Sequence, residues 1–258
     1  MAKVSIASLE SAPVVASPEG AVGQVDTRGL FARDRDPLHL HLHRMAAGAS
    51  MRVTGNPTER VIYIWRGEVQ AGGARLLPRS SAIVEYGASL AVTAGNEGTT
   101  LLEFNRKERG PEERAGGHVH LMPDEYVSRT VSKNGDQQVG MSLHADSQCP
   151  TCMVWLHENE YWDADVETAL HFHSEDEVIF VTAGSMRVGN RIYGAGTALA
   201  VAANTKYGFF SGPEGLSFVN FRATSPTYSS ADGSLVLDEA VLWHKACGKP
   251  RYLSPQPA

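Results

Sequence analysis

The chain has 258 residues, of which 42% are hydrophobic and 20% charged, with 25 Gly and 13 Pro; it is too apolar for a disordered chain and too evenly mixed for a fibre. A formal charge of −6 without any Lys/Arg cluster excludes a nucleic-acid footprint and argues against anionic polymers as partners. Apolar runs are too short for a spanning helix, the first residues lack a leader pattern, and three cysteines make no disulfide framework, so a soluble cytoplasmic protein with no membrane partner is expected.

In chain order, short stretches rich in Val, Ile, Leu, Phe and Tyr between Gly, Pro and Asn clusters read as strands of an all-β protein. At 38–43, His39, His41 and His43 alternate with Leu38, Leu40 and Leu42 and share one strand face. No carboxylate stands at a supporting spacing, so surface metal affinity of the kind a His tag has is expected there. VIYIW at 61–65 and TTLLEF at 99–104 are the next strands. The polar segment 106–134 reads as a linker with one or two exposed strands; its His118, His120 and Glu125 make a loose H-x-H…E pattern that is read as a decoy. Cys149 and Cys152 form a C-x-x-C near His144 and His157, a weak signal for zinc or redox chemistry that reads as two structural thiols. A strand over 153–160 puts Trp155 and His157 on one face, and VIFVT at 178–182 and LSFVNF at 216–221 follow. Acids open and His and Lys close a short helix predicted over 238–245, and the last residues fray.

The most informative pattern is an internal repeat. Placing residue n beside n+117 brings VIYIWRG at 61–67 onto VIFVTAG at 178–184, Glu97-Gly98 onto Glu214-Gly215, Phe104 onto Phe221, and Gly87 onto Asn204. Gly and Asn both tolerate left-handed backbone, so the last pair is a mild exchange. Two copies of one β unit are implied, too few for a solenoid.

The second copy carries His171-Phe-His173, then three residues, Glu177, then six, Gly184. Residues i and i+2 of a strand project together, so two imidazoles and a carboxylate are placed to hold one face of a metal ion and leave positions open. This spacing resembles the first motif of the cupin superfamily. The second cupin motif is kept in spacing from Gly196, but Ala202, Asn204, Tyr207 and Ser211 stand at its Pro, Gly, His and Asn. The resemblance covers 38–104 and 153–222, as in a bicupin. In the first copy the ligand positions hold Thr54, Asn56, Arg60 and Leu90, and Arg60 would repel a cation.

The resemblance implies two tandem jelly-roll barrels with a few short helices: residues 1–106 with the metal motif lost, 107–150 as linker and bridging strands, and 151–258 with the motif retained. It implies one divalent metal ion on His171, His173, Glu177 and Tyr207, with iron(II) favoured over zinc, nickel, manganese or copper. Tyr207 is either a ligand or an acid/base group, and His157 a second catalytic group facing the cavity. The expected activity is an iron(II) dioxygenase acting on a small phenolic or diketone-like substrate. The alternatives are a redox-neutral isomerase, lyase or decarboxylase with the metal as Lewis acid, and a non-catalytic ligand-binding bicupin. A homodimer is implied by the family habit alone.

Overall fold

The computed structural model describes residues 3–34, 36–106, 117–134, 137–144, 154–239, 241 and 251–253. Among these, regular structure is almost entirely antiparallel strand, in one sheet of eleven strands and one of ten. Helix is confined to the 3-10 turn Asp124–Tyr126 and to Glu239 and Val241. Val236–Asp238 is a strand, so Asp238 does not open the helix expected over 238–245, and the rest of that segment, apart from Glu239 and Val241, lies outside the described residues. Cys149 and Cys152 also lie outside them.

The chain divides into two compact units that do not follow chain order throughout. Val4–Ser8 pairs with Thr197–Val201 and so belongs to the C-terminal unit. Val119–Met122, in the segment read as linker, joins the N-terminal sheet between Ser81–Val84 and Arg251–Leu253. All four of its residues are buried, because alternate side chains, Val119 and Leu121, enter the N-terminal core beside Ile62, Val84 and Leu101. The C-terminal core is built the same way from Ile179, Val181, Leu199, Phe209, Leu216 and Phe218.

The repeat is visible in the ladder itself. Arg60–Ala71 and Glu177–Val188 are twelve-residue strands at matching positions. Val61 pairs with Phe104 as Val178 pairs with Phe221, and Gly67 with Thr99 as Gly184 with Leu216. At Gly67 (φ 72°) and Gly184 (φ 63°) the register shifts and the strand bends. A Cβ at either position would lie 2.2 Å from the carbonyl oxygen of Gly98 or Gly215. Only glycine allows both the left-handed backbone and that approach. Asn204 adopts φ 59°, the counterpart of Gly87 at φ 81°.

One strand breaks the offset. His39 pairs with Asn105, whereas Trp155 pairs with Arg222, so this strand is displaced by one residue relative to the rest of the repeat. A one-residue slip turns every side chain to the other face. His39, His41 and His43 therefore share the face of Asn105, Glu103 and Leu101, and Leu101 belongs to the N-terminal core. The three histidines are not a surface tag: His43 is buried against Thr27, Nδ1 to Oγ1 at 3.0 Å. Glu103, at Asn220's place in the repeat, lies 3.6 Å from His43 and 3.5 Å from Arg60. Burial raises its pKa, but the His43 hydrogen bond and the His43 and Arg60 charges outweigh this and bring it to about 2.

The crossing glycine gives a direct test. Gly184→Ala should lower stability by more than about 1 kcal/mol. Gly189→Ala, also at positive φ (56°) but with nothing within 4 Å of its added Cβ, should cost less. Urea midpoints of the two variants measure the difference, and equal costs would remove the close-approach argument.

Candidate functional site

The C-terminal unit carries an open-mouthed cavity of about 340 Å³. Tyr161, Phe209 and Phe218 line one part of its wall, and His157, His171, His173, Tyr207, Asn220, Arg222, Tyr228 and Glu239 bring the polar groups. His171 and His173 alternate inward from Glu167–His173, their rings 5.1 Å apart. The turn after them is fixed from both sides: the Asn204 amide donates to the His173 carbonyl at 2.7 Å, and the Ala203 amide to Asp176 Oδ1 at 2.8 Å. Asn204's left-handed backbone then delivers Tyr207, whose ring lies 4.5 Å from His171.

Arg222 dominates the electrostatics. It ends the strand Tyr207–Arg222 directly opposite Glu177, so both side chains point inward, and it is 1% exposed. Its Nη2 donates to Glu177 Oε2 and to His173 Nε2, each at 2.9 Å, and its Nη1 to Glu239 Oε2 at 3.1 Å. Asn220 Nδ2 donates to the same Glu177 oxygen at 2.7 Å. Because a guanidinium only donates, His173 accepts at Nε2 and carries its proton on Nδ1, 3.6 Å from Glu239. Burial disfavours the Glu177 carboxylate, but Arg222, His173 and hydrogen bonds from Tyr207 and Asn220 outweigh it and hold its pKa below the usual range. The same carboxylates more than offset burial at Arg222 and keep it charged.

Tyr207 donates to Glu177, and burial followed by the Glu177 charge pushes its pKa well above 10. It is a neutral phenol at neutral pH. His171 donates from Nδ1 to the Ala169 carbonyl at 2.7 Å, leaving an Nε2 lone pair. Burial, more than any neighbour, lowers its pKa below 6.5. His157 faces inward opposite Asn220 and is also neutral, through burial first and the Arg222 charge second.

The fold thus brings His157, His171, His173, Glu177 and Tyr207 to one cavity or its immediate wall, but the set does not fit a metal ion as it stands. The Nη2 of Arg222 bridges the His173 nitrogen and the Glu177 oxygen that an ion would have to bridge. A dication there would also meet a fixed positive charge, unfavourable by roughly 4 kcal/mol per unit charge at 4 Å even at an effective dielectric of 20. Among the described residues, ligand atoms of three His, Cys, Asp or Glu side chains lie within 4.8 Å of one another in a different group, Glu85, His118 and His120.

Sequence reasoning missed Arg222, Asn220, Tyr228 and Glu239. For the first two a signal existed: in LSFVNFR polar residues take alternate positions of an apolar strand, and Val219 and Phe221 are fully buried on the other face. The other two come from segments outside the repeat.

No family model matches the chain, and no curated protein matches it. Solved structures do. Lactobacillus farciminis oxalate decarboxylase in its formate complex superposes with a TM-score of 0.69 at 11% identity, covering 88% of each chain. A glyoxylate-induced protein from Pseudomonas aeruginosa gives 0.66 at 10%, over 92% of this chain and 91% of the other. A Bacillus subtilis oxalate decarboxylase variant gives 0.64 at 13%, over 95% and 84%. The fold is that of the cupins. At these identities the likeness is one of fold.

Two predictions follow from the charge network. Arg222→Met leaves Glu177 and Glu239 buried without their cation and should cost about 3–5 kcal/mol at pH 7.5 by urea unfolding, a loss that shrinks in acid as the carboxylates protonate. In the wild type, His157 and His171 resist protonation when folded, whereas the unfolded chain takes those protons below about 6.5. The depressed Glu177 adds stability above its ordinary 4.5 that is lost as pH falls further. Stability should therefore decline steadily from pH 7 downward, and His157→Gln should flatten the part of that decline between pH 6.5 and 5.

Proposed function

We propose that the C-terminal barrel is an active site for redox-neutral chemistry on a small oxygenated organic molecule, with proton transfer performed by the protein's own side chains. The observation that carries this reading is the pairing of a neutral imidazole with a neutral phenol, His171 and Tyr207, whose rings lie 4.5 Å apart in the cavity wall. His171 Nε2 offers the lone pair of a general base, and Tyr207 becomes a general acid when its O–H turns from Glu177 to the substrate. Arg222 holds Glu177 ionised and in place, so it acts as a positioning residue, while His157 and the aromatic wall limit what fits.

A volume of about 340 Å³ is at the small end of ligand cavities and suits a compact substrate with an enolisable carbon. Isomerase, lyase and decarboxylase chemistry all fit this arrangement, and the oxalate decarboxylase structures lend the class an analogy on the same fold. The iron(II) dioxygenase expected from the motif draws less support, since Arg222 stands between two of its three ligands.

The test is proton exchange followed by NMR in D₂O, without oxygen, with EDTA-treated protein and a panel of small hydroxyketones and oxo- and hydroxy-acids. Exchange at carbon is expected for some member of the panel, falling by at least about 10²-fold in Tyr207→Phe and His171→Ala. Oxygen uptake that depends on added iron(II) would sink the proposal. Tight binding without exchange, unchanged in both variants, would instead favour a non-catalytic ligand-binding role. For a His171 base, kcat/KM should fall as pH drops through a value below 6.5, where the imidazole protonates.

A further inference from the structure

We propose a zinc site in the N-terminal unit, separate from the cavity, formed by Glu85, His118 and His120. The ladder brings these residues together across 33 positions of sequence. His120 pairs with Ile83 in the antiparallel register of Val119–Met122 with Ser81–Val84. The Glu85 amide donates to the His118 carbonyl at 3.1 Å, continuing the pairing one step. Glu85, His118 and His120 therefore share one face, while Val84, Val119, Ala82 and Leu121 on the other enter the core.

The donor atoms converge. His120 Nε2 lies 2.6 Å from Glu85 Oε1, and His118 Nδ1 lies 3.0 Å from Glu85 Oε2. Zinc bonds of about 2.0–2.1 Å in a tetrahedral arrangement need ligand separations of roughly 3.3 Å, so the His118 contact at 3.0 Å and the His120 contact at 2.6 Å each have to open by less than about 1 Å. Two imidazoles and one carboxylate are a donor set zinc accepts readily.

Burial sets the energetics. The Glu85 and His120 side chains are 0% and 1% exposed, while His118 is 43% exposed. Both oxygens of this buried carboxylate face an imidazole nitrogen. A dication neutralises the charge outright and displaces any proton shared between them, so binding strengthens as pH rises. The exposed side at His118 gives an entry path and room for water in the fourth position. The carboxylate is not the one the sequence pattern suggested: Glu125 lies exposed in the turn Asp124–Tyr126. The bound ion clamps Val119–Met122 to its neighbour and so has a structural role, independent of the proton-transfer reading above.

The experiment is a zinc titration of the full-length, untagged, EDTA-treated chain against a chromophoric chelator, repeated with cobalt(II) for its visible absorption. One equivalent is expected, with affinity reduced at least about 10-fold in Glu85→Gln and in His118→Ala and unchanged in His171→Ala and His41→Ala. Absence of zinc binding, or binding retained in both Glu85→Gln and His118→Ala, overturns the proposal. Circular dichroism of the zinc-free variants checks folding. If Glu85→Gln does not fold, the half-exposed His118→Ala decides alone.

Discussion

The organisation of the C-terminal barrel depends on one buried cation. Arg222 is almost completely removed from water and touches Glu177, His173 and Glu239. A guanidinium in such surroundings is tolerated only if its charge and donors are met, and each partner is fixed in turn by that requirement. Glu177 cannot swing into the cavity without stranding the arginine. His173 is held in one tautomer, and Glu239 is itself drawn to the guanidinium. The part of the motif that Arg222 does not engage is His171, held through Nδ1 on its own strand, with the Tyr207 ring beside it.

Comparison of the two copies shows how far a duplicated ladder can diverge while its geometry stays put. The crossing glycines and the register around them recur because no other residue survives there. The inward polar positions are free to change chemistry, and they do so as a set. The N-terminal barrel places Arg60 where the C-terminal barrel has Glu177, and Glu103 where it has Asn220. In both, a carboxylate meets a guanidinium inside the barrel; only the strands that supply them are exchanged. An inward charge is kept when its counter-charge changes with it.

Much of the fold was legible in the sequence because it rests on local rules. The spacing of Val61–Gly67 against Val178–Gly184, and the exchange of Gly87 for Asn204, encode backbone conformations that hold residue by residue. The convergence of His171, His173 and Glu177 was legible for a similar reason, since i and i+2 on a strand and a tight turn leave little freedom. Arg222 was not, because its meaning depends on which residue it faces across the ladder, and that partner lies 45 positions away. The inward face of His39, His41 and His43 was hidden by a single-residue displacement, which reverses a strand's faces without disturbing its alternation. Glu85 is a further case. It precedes its histidines by 33 and 35 residues, and the pairing of Val119–Met122 with Ser81–Val84 joins them.

These cases share a physical lesson about metal motifs. A ligand pattern in sequence specifies which side chains share a face but not which cation they meet. An inward arginine on the neighbouring strand satisfies the same lone pairs, in the same low dielectric, that an ion would. It adds no coordination geometry, and it cannot be removed by a chelator or lost by dilution. It also keeps the neighbouring carboxylate ionised across the whole physiological range, which a weakly held metal does not. The exchange turns a centre that activates a bound substrate into a fixed electrostatic floor, and the reacting protons must then come from the groups standing on it. In the reading proposed for this chain those groups are an imidazole and a phenol, His171 and Tyr207, each kept neutral by burial.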